Sequence, residues 1–375
     1  MLDLGRQYAA LREEILAAVE RVCSSQHFIL GEEVETFEQE VAAFLGVGHA
    51  VGCASGTDAL WLALAATGVK AGDTVITTPF SFFASASSIV RAGARPVFID
   101  VDPHTLNLDA AKVEAYLRSE RSTSLRALLP VHLYGQCADM DAFGRIANEF
   151  GLAILEDAAQ AIGARWRESC AGSIGLAAAF SFYPSKNLSA YGDGGLVTTN
   201  DADVAERIRR LRNHGSPRRY LHEEMGWNCR LDAIQAAILR VKLPHVEAWN
   251  RLRAKHAATY DRLFTQAGLF SPTAGSPVRP IAVATPAHHV YHQYVIRATR
   301  RDELRQFLSD RKIGTEVYYP IPLHLQPVFS YFGYREGDLP EAERAAREVL
   351  ALPMFAELRQ DEQQWVVENI SEFYS

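Results

Sequence analysis

The chain is poor in the residues that build cross-links. Its five cysteines, Cys23, Cys53, Cys137, Cys170 and Cys229, are scattered and odd in number, and none belongs to a CxxC pair. That spacing offers neither a disulfide framework nor a cysteine-based zinc site, and reduced thiols fit the cytoplasm. Long hydrophobic runs are also missing. No apolar stretch approaches the length needed to cross a bilayer, and the opening "MLDLGRQYAALREEI" is amphipathic, without the apolar core of a signal peptide. We therefore expect a soluble cytoplasmic protein with no membrane partner. Positive charge is not in excess: 38 Lys and Arg stand against 45 Asp and Glu, for a net charge of −7. This argues against nucleic acid as a partner. The chain has no internal repeat, no low-complexity segment, and no GxGxxG after any expected strand, which weakens a dinucleotide reading.

What is present is an ordinary globular composition, 48% hydrophobic and 22% charged over 375 residues, long enough for two domains. Between residues 50 and 200, the β-rich runs "HAVGCA", "TVITT", "RPVFID", "RALLPV", "LAILED", "AAFSFY" and "GGLVTT" alternate with helical patterns such as "TDALWLALAATGV". The alternation predicts an α/β fold with a mainly parallel sheet covered on both faces. Such sheets present ligands at the carboxyl ends of their strands. "RLDAIQAAILRVKLPHVEAWNRLRAKHAATYDRLF" reads as one long helix. Beyond it we expect a smaller α+β unit with strands "YHQYVIR" and "GTEVYY", a helix near 301–311 and two more helices. The expected domains are 1–245 and 246–375, with the N-terminal segment of the first free to pack on the second.

Three stretches carry candidate chemistry. In "CASGTDALWLAL" a strand ends in Ser55-Gly56-Thr57 and a helix follows at once. The unpaired first-turn amides suit a phosphate, although simple N-capping explains the same residues equally well. In "LAILEDAAQAIGA" a strand delivers Glu156 and Asp157 at its carboxyl end, with Gln160 three residues on. A carboxylate there serves a ribose, a metal, a helix cap or a cationic heterocycle. In "FSFYPSKNLSAYGDGG" Ser181 stands in a strand and Lys186 on the loop after it. A loop lysine is most often a solvated charge. Together with a phosphate site and a strand-end aspartate, it is also what a pyridoxal phosphate enzyme needs. Phe82 in "TTPFSFFASASS" is an aromatic that could stack on the cofactor ring, or a core residue. The basic stretch "RIRRLRNHGSPRRY" reads as a solvated face. His288, His289 and His292 lack a carboxylate companion, so no metal is expected, and Asp139 in "DMD" reads as a helix cap.

The motifs "ASGTDAL", "VHLYGQCADMD", "LEDAAQAIGA", "FSFYPSKNLSAYGDGG", "GWNCRLDAIQAAIL", "YHQYVIR" and "YYPIPLHLQP" follow one another in the order found in the DegT family. The sequence resembles these nucleotide-sugar aminotransferases from about residue 3 to near its end. The resemblance implies the fold-type I architecture, pyridoxal phosphate, and a homodimer with shared active sites. It matches Lys186 to the Schiff-base lysine, Asp157 to the partner of the pyridine nitrogen and Gln160 to the residue beside the ring hydroxyl. Gly56, Thr57 and Ser181 match phosphate ligands and Phe82 the stacking aromatic. Asn228 matches a residue reaching the phosphate of the neighbouring subunit. Arg230, Tyr318 and Tyr319 match substrate contacts, although many members carry histidine where Tyr318 stands; His324 in "PLHLQP" is a further candidate for a substrate contact. The implied reaction moves an amino group from an amino acid, L-glutamate by resemblance, to a keto-sugar of a nucleoside diphosphate. A dTDP-linked 3-keto-6-deoxyhexose is the expected substrate. The alternatives are a UDP-linked or 4-keto sugar, another type of pyridoxal phosphate enzyme such as a lyase, and a non-catalytic regulatory relative.

Overall fold

Seven short apolar runs of the first 200 residues assemble into one sheet. The computed structural model describes residues 2–120, 122–270 and 276–375. The strands are β1 His49–Cys53, β2 Thr74–Thr77, β3 Arg95–Phe98, β4 Leu125–Leu129 and β5 Ala153–Asp157. After a hairpin, β6 Arg165–Trp166 and β7 Ser169–Cys170, come β8 Ala177–Ser181 and β9 Gly195–Thr199. The sheet order is β1-β9-β8-β5-β4-β2-β3. Only β9 runs against its neighbours, so the sheet is mainly parallel, as the alternation predicts.

Helices cover it: α1 Leu4–Ser25, α2 Glu32–Leu45, α3 Gly56–Ala66, α4 Ala84–Arg91, α5 Ala110–Ser119, α6 Met140–Phe150, α7 Ala202–Leu211 and α8 Ala233–Lys242. α3 is apolar nearly all round and is buried nearly all round, against β8, β9 and α4. Asp139 caps α6 by accepting from the Ala142 amide at 3.0 Å, the role its position suggests. Part of the basic stretch is paired, Arg207 with Glu224, Arg210 with Glu223 and Glu224, and Arg212 with Glu38, while Arg218 and Arg219 are exposed.

The long helix expected from residue 230 onward is two helices. A 3-10 turn at Leu243–His245 separates α8 from α9, Val246–Gln266. Pro244 is the cause, since it has no N–H for the helical ladder and its ring crowds the carbonyl four residues back. α9 then joins two cores. Val246 lies in the one under the large sheet; Ala257, Tyr260 and Phe264 lie in a second. That second core covers a three-stranded sheet of β10 Val278–Pro280, β12 Tyr294–Ala298 and β13 Val349–Leu352, in that order. β11, Ala287–His288, pairs with β6 instead. α10 Arg301–Asp310, α11 Pro340–Glu348 and α12 Gln360–Tyr374 complete the unit. The 3-10 turn ends at His245 and α9 begins at Val246. The N-terminal segment touches both sides: α1 packs on α8, while Leu2 packs on the second core and Arg6 binds Glu362 at 2.8 Å.

The expected strand "GTEVYY" does not form. Glu316 makes a single bridge to Ala351, and the chain then turns away toward the large sheet.

Candidate active site

The carboxyl ends of β1, β2, β5 and β8 meet along one edge of the large sheet. β5 ends in two adjacent carboxylates, and strand alternation sends them to opposite faces. Glu156 turns into the core, where its oxygens accept from the amides of Gly172 at 2.8 Å, Ile174 at 2.9 Å and Gly175 at 2.6 Å. The fourth partner is His132. Its Nδ1 faces the amide of Ala138 at 3.1 Å, which can only donate, so the proton sits on Nε2 and points at Glu156, 2.9 Å away. Glu156 is thereby fully engaged in structure.

Asp157 takes the other face. It is buried and accepts from the Ser85 hydroxyl at 2.7 Å and the Ala159 amide at 3.2 Å. Burial raises its pKa, while Ser85, Ala159 and the charge of Lys186 pull it back down. Ser85 is held in turn by Ser81, 2.8 Å between hydroxyl oxygens. Sequence reasoning missed Ser85. The signal was there, two serines four apart entering an apolar helix, a spacing that puts both on one side.

Lys186 is on the loop leaving β8. The loop is fixed by its own backbone: Lys186 donates to the Tyr183 carbonyl at 2.8 Å and Ala190 to that of Phe182 at 2.7 Å. Asn187 then donates to Asn250 at 2.7 Å and to the Val290 carbonyl at 3.1 Å. The side chain of Lys186 is half-buried. Burial pushes its pKa down to about 8, against the pull of Asp157, which favours the cation. His292 is buried beside it and is held well below the usual histidine range, by burial first and by the Lys186 charge second. Among the described residues no cluster of side chains suits a metal ion.

The end of β1 supplies the third part. Ser55 caps α3 by accepting from the Asp58 amide at 3.1 Å, leaving Gly56 and Thr57 in the first turn. The helix start presses against the end of β8. A Cβ on Gly56 would lie 2.6 Å from the Cβ of Ser181, and one on Gly195 would lie 2.3 Å from the Ser55 carbonyl oxygen. Glycine at both positions lets α3 approach, and Ser181 comes to stand beside its first turn.

A ladder closes the far side. Gln160 accepts from the Tyr134 amide at 2.6 Å and donates to the Tyr319 hydroxyl at 3.0 Å. The Tyr134 hydroxyl donates to the carbonyl of Tyr318. Phe82 is 58% exposed, and its ring lies 6.4 Å from that of Tyr319. Lys186, Asp157, Gln160, Phe82, Tyr318 and Tyr319 thus gather at the sheet edge, with Gly56, Thr57 and Ser181 beside them.

Three expected site residues lie outside that group, although the segment of Asn228 and Arg230 runs beside the end of β1, where the Cys229 carbonyl accepts from the Ala54 amide at 3.0 Å and Arg230 bridges Cys53. His324 is completely enclosed, with Nε2 3.1 Å from Glu343, in a cluster around Phe98 and Tyr334. His324 thus lies apart from the group around Lys186 and Asp157, engaged with Glu343. Asn228 is exposed on the segment after α7, and Arg230 donates to Asn213 at 2.7 Å.

A model of the DegT/DnrJ/EryC1/StrS aminotransferase family matches residues 9–371. The chain belongs to this family. A pleiotropic regulatory protein of Geobacillus stearothermophilus is 53% identical to it over 374 residues, covering 100% of this chain and 98% of its own length. A dTDP-3-amino-3,4,6-trideoxy-alpha-D-glucose transaminase of Streptomyces venezuelae is 45% identical over 372 residues, 99% of this chain and 95% of that protein. The crystal structure of S. venezuelae DesV in complex with a ketimine intermediate superposes with a TM-score of 0.93 at 44% identity, covering 99% of this chain and 97% of that one. The fold-type I architecture expected of DegT family members is the one this chain has.

Proposed function

We propose that this DegT family member is a pyridoxal phosphate-dependent aminotransferase that moves an amino group from an amino acid, L-glutamate, to a nucleotide-linked keto-sugar. The observation that carries the reading is the convergence at the strand edges of Lys186, on the loop leaving β8, with the buried carboxylate of Asp157 at the end of β5, held by Ser85. Burial pushes the lysine pKa down to about 8. The residues present fit the cofactor. The first turn of α3 with Thr57 and Ser181 would take its phosphate, and the absent Cβ of Gly56 lets Ser181 stand beside that turn. Phe82 would lie on the ring, Gln160 beside its hydroxyl, and Asp157 would hold the proton on the ring nitrogen. When bound, pyridoxal phosphate supplies the carbonyl that receives the amino group and the cationic ring that draws electrons from the α-carbon.

The remaining roles belong to the protein. Lys186, freed by the incoming amino acid, takes the proton from the donor's α-carbon. A pKa near 8 leaves a useful neutral fraction at physiological pH, which an ordinary lysine does not. Tyr318 and Tyr319 face the sugar, and the ladder through Tyr134 and Gln160 fixes where they stand. The dTDP-linked substrate of the Streptomyces venezuelae relative supports a dTDP-3-keto-6-deoxyhexose. The Geobacillus relative, a pleiotropic regulatory protein, favours a second reading, a regulatory protein. A coupled assay of cofactor-loaded protein with 3-keto and 4-keto sugars on dTDP and UDP separates the two. We expect the dTDP 3-keto sugar to be aminated fastest. Conversion of none of the four would sink the transaminase reading.

We propose further that the sites are shared across a homodimer. Asn228 and Arg230 follow a surface rich in exposed apolar side chains, Tyr220, Met225 and Trp227, the kind of patch that a second copy covers. Each subunit then gives Lys186 to one site and Asn228 with Arg230 to the other. Refolding Lys186→Ala protein together with Asn228→Ala/Arg230→Ala protein makes about half the dimers mixed, and about a quarter of wild-type activity should return. Mixed dimers isolated by differential tags and still inactive would retire the shared site.

A further inference from the structure

The small sheet carries a cluster that the proposed transamination does not use. β10 and β12 place Arg279 directly opposite Arg297, so two guanidinium groups stand side by side on one face. Like charges directly opposed weaken a strand pair. Arg300 and Arg301 at the start of α10, and Arg347 near the end of α11, line the same cavity of about 340 Å³. Three carboxylates share it, each already engaged. Glu348 meets Nη1 of Arg297 at 3.1 Å, Asp302 meets Arg301 at 2.6 Å, and Glu303 meets Arg300 at 2.6 Å. Five arginines against three carboxylates leave positive charge over. Among the described residues, Arg279 and Arg347 take no part in those ion pairs, and both are exposed.

Arg297 decides the character of the cavity. Only 7% exposed, it has an Nε and an Nη2 without a hydrogen-bond partner among the described residues. Those two N–H groups lie along one edge of the guanidinium, the edge that grips two oxygens of a phosphate or carboxylate in parallel. We propose that this cavity is a second binding site, for a small anion with forked oxygens, a phosphate monoester or a dicarboxylate. Its volume lies at the small end of ligand pockets, which suits a compact metabolite. None of its lining residues belongs to the group around Lys186 and Asp157.

The test uses enzyme saturated with pyridoxal phosphate, so that the cofactor's own phosphate site is filled. Inorganic phosphate and malonate are titrated calorimetrically at constant ionic strength, with chloride as the control. One saturable event per subunit is expected, and the tighter probe identifies the ligand class. Arg297→Lys keeps the charge but loses the fork, and should weaken binding about tenfold or more. Arg279→Ala with Arg347→Ala changes two exposed side chains and should weaken it severalfold; it carries the test should Arg297→Lys fail to fold. Absence of saturable binding, or a double variant that binds like wild type, overturns the site. Binding is read directly, so the result does not depend on whether any sugar is aminated.

Discussion

Lys186→Ala should lose at least about a thousandfold in turnover, because one side chain acts as both nucleophile and base. The substitution leaves the loop in place. Its backbone bonds from Lys186 to Tyr183 and from Ala190 to Phe182 do not involve the side chain. The loss is therefore chemical, and a second readout makes that visible. Wild-type protein should be yellow, and borohydride reduction with peptide mapping should find a pyridoxyl group on Lys186. The variant should be colourless when dialysed free of unbound cofactor. A pyridoxyl group on any other lysine, or retained turnover in Lys186→Ala, would falsify the assignment.

The Asp157→Asn substitution should cost about two to four orders of magnitude in turnover while leaving the fold intact. The amide can be accommodated: Ala159 still donates to its oxygen, and the Ser85 hydroxyl, already 2.8 Å from Ser81, can turn to donate there and accept from the new NH₂. What is lost is negative charge. Asp157 now favours the Lys186 cation, so its removal should move the lysine's pKa further down from about 8. In cofactor-free protein, the pH midpoint for acetylation of Lys186, followed by mass spectrometry, should therefore fall in the variant. A midpoint that rises or stays, or near-normal turnover in a folded, cofactor-loaded variant, would give the carboxylate a different job.

Much of this site was legible because its parts stand where strands end. Asp157, Ser181 and Gly56 lie at junctions that hydrophobic pattern alone locates. Choosing between Glu156 and Asp157 needed more. Alternation says only that they diverge, and the amides of Gly172, Ile174 and Gly175 that claim Glu156 come from a loop whose path no local pattern reveals. The surroundings of His324 were hidden for a related reason. Its neighbour Glu343 lies nineteen residues away on a later helix, so its burial is a tertiary fact. "GTEVYY" has strand composition, yet its tyrosines are drawn off by Gln160 and Tyr134 of the large sheet. Side chain–backbone competition of that kind overrides β-propensity. The break at Pro244, by contrast, was written in the sequence.

The bond between Arg6 and Glu362 spans 356 positions, and the Arg6 guanidinium also stacks 5.4 Å from the ring centre of Phe355. As the chain emerges from the ribosome, the first turns of α1 have no such partner until α12 has been made. They must wait until the 356 positions that the bond spans have been made. Contacts of such sequence separation form late and slowly, because the intervening chain must be ordered before the contact can reward closure. Docking of α1 across both cores is thus expected to be a closing event of folding, and not a nucleus on which the sheet is built.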